Sequence, residues 1–243
     1  LYNLLTKTEA FDDVYWAKGS ASVTANSATA PDGTNTADSL VEAAATAATY
    51  IGRIAAGLPV TADTFVFSLY VKANGRNQVG LSLYGGGINK YITAVYDLSA
   101  GTVSKTQAGS SGTITSTSIT ASGSGWYRIV MSGNIAAPAQ IQAYVYPTNS
   151  TTPTIDQYGT PLAYTGDGTS GIYIWGAQLV VASDAALPYQ RVNTATDYDY
   201  DFAKFPPFLK FDGVDDSLYS AASVDFTSTD KMTVFAGVHK ASD

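Results

Sequence analysis

The sequence predicts an all-β chain folded as a jelly-roll β-sandwich, and three observations carry that prediction. The first is alternation with a period of two. Phe65, Phe67, Leu69 and Val71 alternate with Val66, Ser68, Tyr70 and Lys72. Val79, Leu81 and Leu83 alternate with Gln78, Ser82 and Tyr84, and Ile141, Ala143 and Val145 with Gln140, Gln142, Tyr144 and Tyr146. Successive side chains of a strand point to opposite faces, so each stretch offers one dry face and one wetter face. The second is the stretch Gly171 to Leu179, Gly-Ile-Tyr-Ile-Trp-Gly-Ala-Gln-Leu, with bulk on both faces. Such a strand belongs in the middle of a sheet, paired with much earlier parts of the chain, and Gly176 marks a bulge or a close backbone approach. The third is punctuation: short β-rich runs are separated at regular spacing by Gly, Pro, Asn, Asp and Ser.

Composition narrows the class further. A chain of 243 residues is long enough for one large domain or one and a half ordinary ones. It has no cysteine, so disulfides and thiolate chemistry are excluded. Charged residues are 14% of the total, low enough to suit an extracellular-type β protein. A net charge of −7 with no basic run argues against a nucleic-acid partner. No apolar run approaches the ~18 residues that a membrane helix needs. The chain opens on Leu1 rather than Met and is read as a piece of something longer.

Taken in order, Asn3-Leu4-Leu5 with Phe11, Val14, Tyr15 and Trp16 reads as an extended lead-in that packs on the sandwich. Ser20 to Asn26 alternates weakly, Pro31-Asp32-Gly33-Thr34 is a turn, and Asp38 to Glu42 is a short strand. From Ala43 to Leu58 the alanines favour helix, but Thr49-Tyr50-Ile51 is strand-like and Gly52 and Gly57 break a helical face; strand plus loop is the preferred reading. Strands then follow over 64–72, 78–84 and 91–98, a Ser/Thr-rich strand near an edge over 112–120, and strong strands over 125–131 and 140–146. Pro147 to Gly171 reads as one long polar loop. Asp197 to Pro207 reads as a connector, because paired prolines stop regular structure, and a new set of strands begins at Phe208.

An ordered series of motifs now stands out: Asn3-Leu4-Leu5 with Phe11 and Trp16, Pro31-Asp32-Gly33-Thr34 with Ala37-Asp38, Ser68-Leu69-Tyr70-Val71-Lys72, Gly125-Trp126-Tyr127-Arg128, and Trp175-Gly176-Ala177-Gln178-Leu179. This series resembles the carbohydrate-binding-module-like jelly roll of bacteriophage tail fibres and tailspikes, over residues 1–196. Residues 208–243, with Phe211-Asp212-Gly213-Val214-Asp215-Asp216 and Met232-Thr233-Val234-Phe235, resemble the truncated start of a concanavalin A-like, laminin-G-like lectin domain. The resemblance implies a homotrimer on a virion tail, outside the cell, recognising bacterial surface polysaccharide or lipopolysaccharide. It also implies a structural calcium near the termini. Val180 stands where the pattern usually has an acidic residue, which counts against that metal.

Catalytic chemistry finds little support, and the chain is expected not to be an enzyme. The one histidine, His239, stands at the end of the chain, so the jelly roll has no Ser-His-Asp arrangement. A zinc site lacks nitrogen and sulfur ligands. Glycoside hydrolysis needs two carboxylates, and Asp215-Asp216 would face opposite ways on a strand and reads better as a turn. Asp197, Asp199 and Asp201 lack the glycine of a calcium loop, with Phe202 in its place; Glu9 and Asp12 remain the candidate hard-cation ligands. Of the tryptophans, Trp16 is a candidate sugar platform, whereas Trp126 and Trp175 are read as core.

The candidate glycan-binding residues lie on the wetter faces: Tyr70, Ser82, Tyr84, Gln142 and Tyr144, with Arg128 at their border. If their strands adjoin in one sheet, they form a polar-aromatic strip. Sugars take such a mix, aromatic faces for C–H surfaces and fixed amide or guanidinium donors for hydroxyls. The competing reading is an interface, with tyrosines covered by another domain or subunit. Together with the resemblance, which implies host recognition, the expected function is host recognition by non-catalytic glycan binding. The alternatives are a spacer or trimerisation module of a fibre, and an accessory glycan-binding domain of a polysaccharide-degrading enzyme.

Overall fold

A computed structural model describes residues 3–55, 64–181 and 186–194. The domain end at 196, the connector over 197–207 and the strands read in 208–243 lie outside the described residues. In chain order the strands are β1 (Ala17–Gly19), β2 (Ala21–Ala28), β3 (Ala37–Glu42), β4 (Thr46–Ala47), β5 (Tyr50–Ala55), β6 (Thr64–Asn74) and β7 (Gln78–Tyr84). They continue with β8 (Tyr91–Asp97), β9 (Thr102–Ala108), β10 (Gly112–Gly123), β11 (Trp126–Ile135), β12 (Ile141–Thr148), β13 (Tyr164–Thr165) and β14 (Gly171–Val181). Two six-stranded sheets result, β1-β5-β12-β7-β8-β9 and β10-β11-β6-β14-β3-β2, with a small β13-β4 ribbon beside them. Every pairing between these strands is antiparallel. The described residues form an all-β jelly-roll sandwich, as the sequence predicts.

The core lies between the sheets. Ile51, Val79, Leu81, Leu83, Ile92, Ile141 and Val145 meet Leu40, Phe65, Phe67, Leu69, Val71, Ile129, Met131, Ile172 and Leu179 in one continuous cluster. The cluster includes every residue that alternation assigns to a dry face: Phe65, Phe67, Leu69, Val71, Val79, Leu81, Leu83, Ile141, Ala143 and Val145. Tyr96 reaches across the sandwich, its buried hydroxyl donating to Val130 O at 2.6 Å.

β14 sits inside its sheet, between β6 and β3, as its two-sided bulk requires. Its register against β6 slips between Trp175 and Gln178, where three steps along β14 match two along β6. Gly176 takes φ +66 at this bulge, a left-handed conformation that glycine adopts without steric cost. The extra residue flips the parity: Ile174 and Ala177 both face the core, while Trp175 and Gln178 face away. Asn3 holds the neighbouring edge. Its side chain donates to Ala177 O and Gln190 O and accepts from the Leu5 and Leu179 N–H groups, all within 2.9–3.1 Å.

Three expectations change in detail, and the ambiguous region takes its preferred reading. β9 is an additional strand; Thr102 to Ala108 is polar and lies at a sheet edge, with Val103 packing on the core, so no dry face announces it. The lead-in packs as expected through Leu5, Phe11 and Trp16, but it runs as consecutive turns rather than extended, with Lys7 O, Ala10 O and Asp13 O each accepting from the N–H three residues on, and Val14 is 94% exposed. The ambiguous region resolves into strands, β4 and β5. Residues 147–171 are not one open loop. Ile155 bridges Pro161, and β13 pairs with β4.

Candidate functional site

The two faces turned away from the core differ, and the difference locates the site. On the sheet containing β6, β11 and β14, the outer face is covered by the returning segment 186–192. Trp126, Trp175, Tyr189, Ala30 and Ala37 form a second buried cluster there, with Tyr70 packed against it. Trp175 lies 4.7 Å from Tyr189 between ring centroids, and Tyr70 lies 5.3 Å from Trp175. Gln178 ties the segment down, donating to Leu187 O and Pro188 O (3.1 Å each) and accepting from Gln190 N at 2.7 Å. Arg128 joins this fastening by donating to Leu187 O (2.6 Å) and Ser68 Oγ (3.2 Å).

The strip expected from the sequence is therefore split. Tyr70 and Arg128 belong to the other sheet, on the far side of the sandwich, and are engaged in packing that segment. Ser82, Tyr84, Gln142 and Tyr144 do come together, because β7 and β12 are neighbours with Tyr84 opposite Gln142 and Ser82 opposite Tyr144. Trp126 and Trp175 are buried as expected. Trp16 is also buried, its indole N–H donating to Lys7 O at 2.9 Å, so it offers no platform.

On the outer face of β5, β7 and β12 lies a groove of about 270 Å³, lined by Tyr50, Tyr84, Gln142, Tyr144, Tyr146, Tyr158 and Thr160. Its floor follows from small residues set beside large ones. Tyr50 stands opposite Gly19, Tyr144 opposite Gly52 and Tyr146 opposite Gly80. A Cβ on Gly19 would lie 2.1 Å from Tyr50 Cε1, and one on Gly52 would lie 2.2 Å from Tyr144 Cδ1. At Gly19 and Gly52 the rings of Tyr50 and Tyr144 occupy space that a side chain would fill, so these two rings lie over the neighbouring strands. Tyr144 stacks on Tyr146 at 5.8 Å, and Tyr50 meets both edge-on at 5.5 and 6.1 Å. Tyr144 donates its hydroxyl proton to Gln142 Oε1, which leaves the amide nitrogen of Gln142 as the donor. Burial pushes the Tyr144 phenol up to about 12, with the neighbouring Tyr50 and Tyr84 adding to it, so the ring is neutral at physiological pH.

The groove's wall comes from the excursion 154–162. Asp156 Oδ1 accepts from the N–H groups of Tyr158 and Thr160 at 2.8 Å each, fixing the turn. Gly159, with φ +85, presses this turn onto the sheet; a Cβ there would lie 2.7 Å from the Tyr91 ring and 2.8 Å from Ser82 Oγ. Thr93 Oγ1 donates to Gly159 O at 2.8 Å and lies 3.0 Å from Ser82 Oγ. Ser82 is consequently sealed under the turn, fully buried, and supports the wall rather than lining the groove. Tyr158 stands 42% exposed and meets Tyr84 edge-on at 6.0 Å.

Sequence reasoning missed Tyr50, Tyr158 and Thr160 as groove residues and did not single out Tyr146. A signal existed in the strand-interior glycine Gly52, which marks where an aromatic ring can lie across. Gly52→Ala is expected to displace the Tyr144 ring while leaving cooperative unfolding intact. Near-ultraviolet circular dichroism should lose tyrosine intensity, and an unchanged spectrum would show that the ring does not depend on Gly52.

The second glutamate anchors the remainder of the excursion. Glu42 is buried, and its carboxylate accepts from Arg76 through Nε (2.9 Å) and Nη2, from the Tyr164 hydroxyl (2.6 Å) and from Asp167 N (2.8 Å). Burial works to raise the Glu42 pKa, but these donors outweigh it and hold the carboxyl below its ordinary value. The clasp joins β3 to Arg76 and to Tyr164 and Asp167, which follow the turn that carries Tyr158.

The candidate cation ligands do not assemble. The Glu9 carboxylate accepts from the Tyr189 hydroxyl at 3.0 Å and pairs with Arg191 at 3.4 Å. Among the described residues no three His, Cys, Asp or Glu side chains gather. Glu9 is thus engaged by a phenol and a guanidinium. Among the described residues no helix is long and apolar enough to cross a membrane.

No protein-family model matches the sequence, and no curated protein matches it. Solved structures with a similar chain path include the N-terminal xylanase 10B modules of Clostridium thermocellum complexed with xylohexaose. That likeness has 13% identity and a TM-score of 0.42, and covers 78% of this chain and 30% of the other. A second is the enzymatically active domain of tailspike protein 4 of bacteriophage CBA120, at 10% identity and a TM-score of 0.41, covering 74% of this chain and 21% of the other. A third is a candidate sugar-binding protein of Bacteroides thetaiotaomicron, at 12% identity and a TM-score of 0.34, covering 74% of this chain and 95% of the other. The chain thus spans well under half the length of the first two.

Proposed function

We propose that the groove on the outer face of β5, β7 and β12 binds glycan without transforming it. The observation that carries this is the tyrosine row laid over strand glycines, with the Gln142 amide and the Thr160 hydroxyl beside it. Aromatic faces take the C–H surfaces of a sugar, and fixed amide and hydroxyl groups take its hydroxyls. The rings are held by packing before any ligand arrives, so little ordering entropy is lost on binding. The reading is non-catalytic because the seven lining residues include no carboxylate or imidazole, whereas glycoside hydrolysis uses a pair of carboxylates.

The setting we propose is host-cell recognition by a phage tail fibre or tailspike, on the virion and outside the cell, with bacterial polysaccharide or lipopolysaccharide as partner and a homotrimer as the assembly. Its support is the ordered motif series from Asn3 to Leu179. A second reading, in which this face packs against another subunit of a fibre, is favoured by Ile88 and Leu162. They are 60% and 53% exposed, and the turns that carry them are joined by Asn89 N donating to Gln157 O at 2.9 Å. A polysaccharide array probed with the chain and with its Tyr84→Ala/Tyr144→Ala variant separates the two. Glycan signals lost in the variant support binding. No glycan signal, together with a trimer mass that the variant abolishes, supports the interface instead.

A further inference from the structure

We infer that this groove selects uncharged glycan chains and rejects those bearing uronate, sialate or phosphate. The inference rests on the glycan reading above and names the class of ligand. None of the seven lining side chains is a cation. The basic residues outside the lining make contacts of their own. Lys105 Nζ donates to Pro153 O behind the excursion (2.7 Å), and Lys90 Nζ donates to Ala137 O (2.7 Å). Arg53 lies over the Tyr15 ring at 4.0 Å, and Arg76 is clasped by Glu42.

The charge that does reach the groove is negative. Asp156 sits in the turn that forms the wall, its Oδ1 held by two backbone N–H groups. The two residues whose N–H groups donate to it, Tyr158 and Thr160, both line the groove, so the carboxylate stands directly behind the wall. An anionic sugar would leave water for a site that offers phenol rings, one amide and a carboxylate behind the wall. It would find no guanidinium or ammonium among the described lining residues. Burying an unpaired charge beside a like charge is unfavourable, whereas a neutral hydroxylated chain gives up only hydrogen bonds that the amide, the phenols and Thr160 can replace.

The test uses the full chain on an array of neutral and acidic bacterial polysaccharides, with one neutral hit also oxidised at its primary hydroxyls to the uronate. Every signal that depends on Tyr84 and Tyr144 is expected to be a neutral glycan. The oxidised polymer should bind at least about tenfold more weakly at low salt. Part of that loss should return in high salt and in Asp156→Asn, which keeps the oxygen that accepts from Tyr158 N and Thr160 N. A tyrosine-dependent signal from an acidic glycan, or equal binding of the oxidised polymer, overturns charge selection and leaves the glycan reading standing. An array with no tyrosine-dependent signal overturns the glycan reading and this inference with it.

Discussion

Alanine at Tyr84 and Tyr144 together is expected to weaken glycan binding by about 100-fold or more. Aromatic residues at the centre of a contact surface each contribute on the order of 2 kcal/mol when truncated, and about 1.4 kcal/mol is tenfold in affinity. Tyr144 also fixes Gln142 by its hydroxyl bond, and Tyr84 backs the Tyr158 ring, so the two losses are not independent of their neighbours. Neither ring belongs to the core between the sheets, so the thermal midpoint should move little. Calorimetric titration of the strongest array hit, with a melting curve beside it, reads both quantities. Affinity within threefold of the parent, with the fold intact, would place binding elsewhere.

Glu42→Ala should have the largest effect on stability. Removing one partner of a buried ion pair costs about 3 kcal/mol, because the other partner is left with its desolvation unanswered. Arg76 keeps Asp167 at 3.5 Å and is itself a fifth exposed, which places the cost at the lower end of that class. For a domain of this size the midpoint should fall by roughly 10 °C. The pH dependence has a definite sign. The folded pKa of Glu42 lies below its ordinary value of 4.5, so the clasp contributes fully above that value. Its contribution is lost as pH falls through the folded pKa. The stability gap between the parent and Glu42→Ala should therefore be constant from neutral pH down to about 5 and close in more acidic solution. A gap that widens on acidification would contradict the clasp.

The fold was legible where side-chain contrast is strong. β6, β7 and β12 alternate between apolar residues and others, and one face of each packs into the core as alternation requires, while β14 declares itself by bulk on both faces. β9 escaped because an edge strand of Thr, Ser, Lys and Gln needs no dry face of its own. The candidate site was half legible. Parity placed Tyr84, Gln142 and Tyr144 on an outer face, but parity is blind to which of two sheets a strand joins. Tyr70 and Arg128 share that parity and lie on the other side. Tyr158 and Thr160 reach the groove only because Asp156 folds the turn and Gly159 permits its close approach, a long-range placement that no local pattern encodes. Ser82 illustrates the converse, a polar residue that reads as wet and is sealed beneath that turn. The Trp-Gly-Ala-Gln-Leu motif was legible as a strand with a bulge, while the role of Gln178 in tying down residues 187–190 depends on a segment that follows it.

The central claim is that one outer face, built from β5, β7 and β12, meets the ligand. Backbone amide shifts followed during titration with the strongest array hit test it most directly. The shifts should concentrate on Tyr50, Tyr84, Gln142, Tyr144, Tyr146 and the 156–160 turn, while Tyr70, Arg128 and Trp175 on the opposite sheet stay still. Shifts centred on that opposite sheet, with the tyrosine row unmoved, would contradict it.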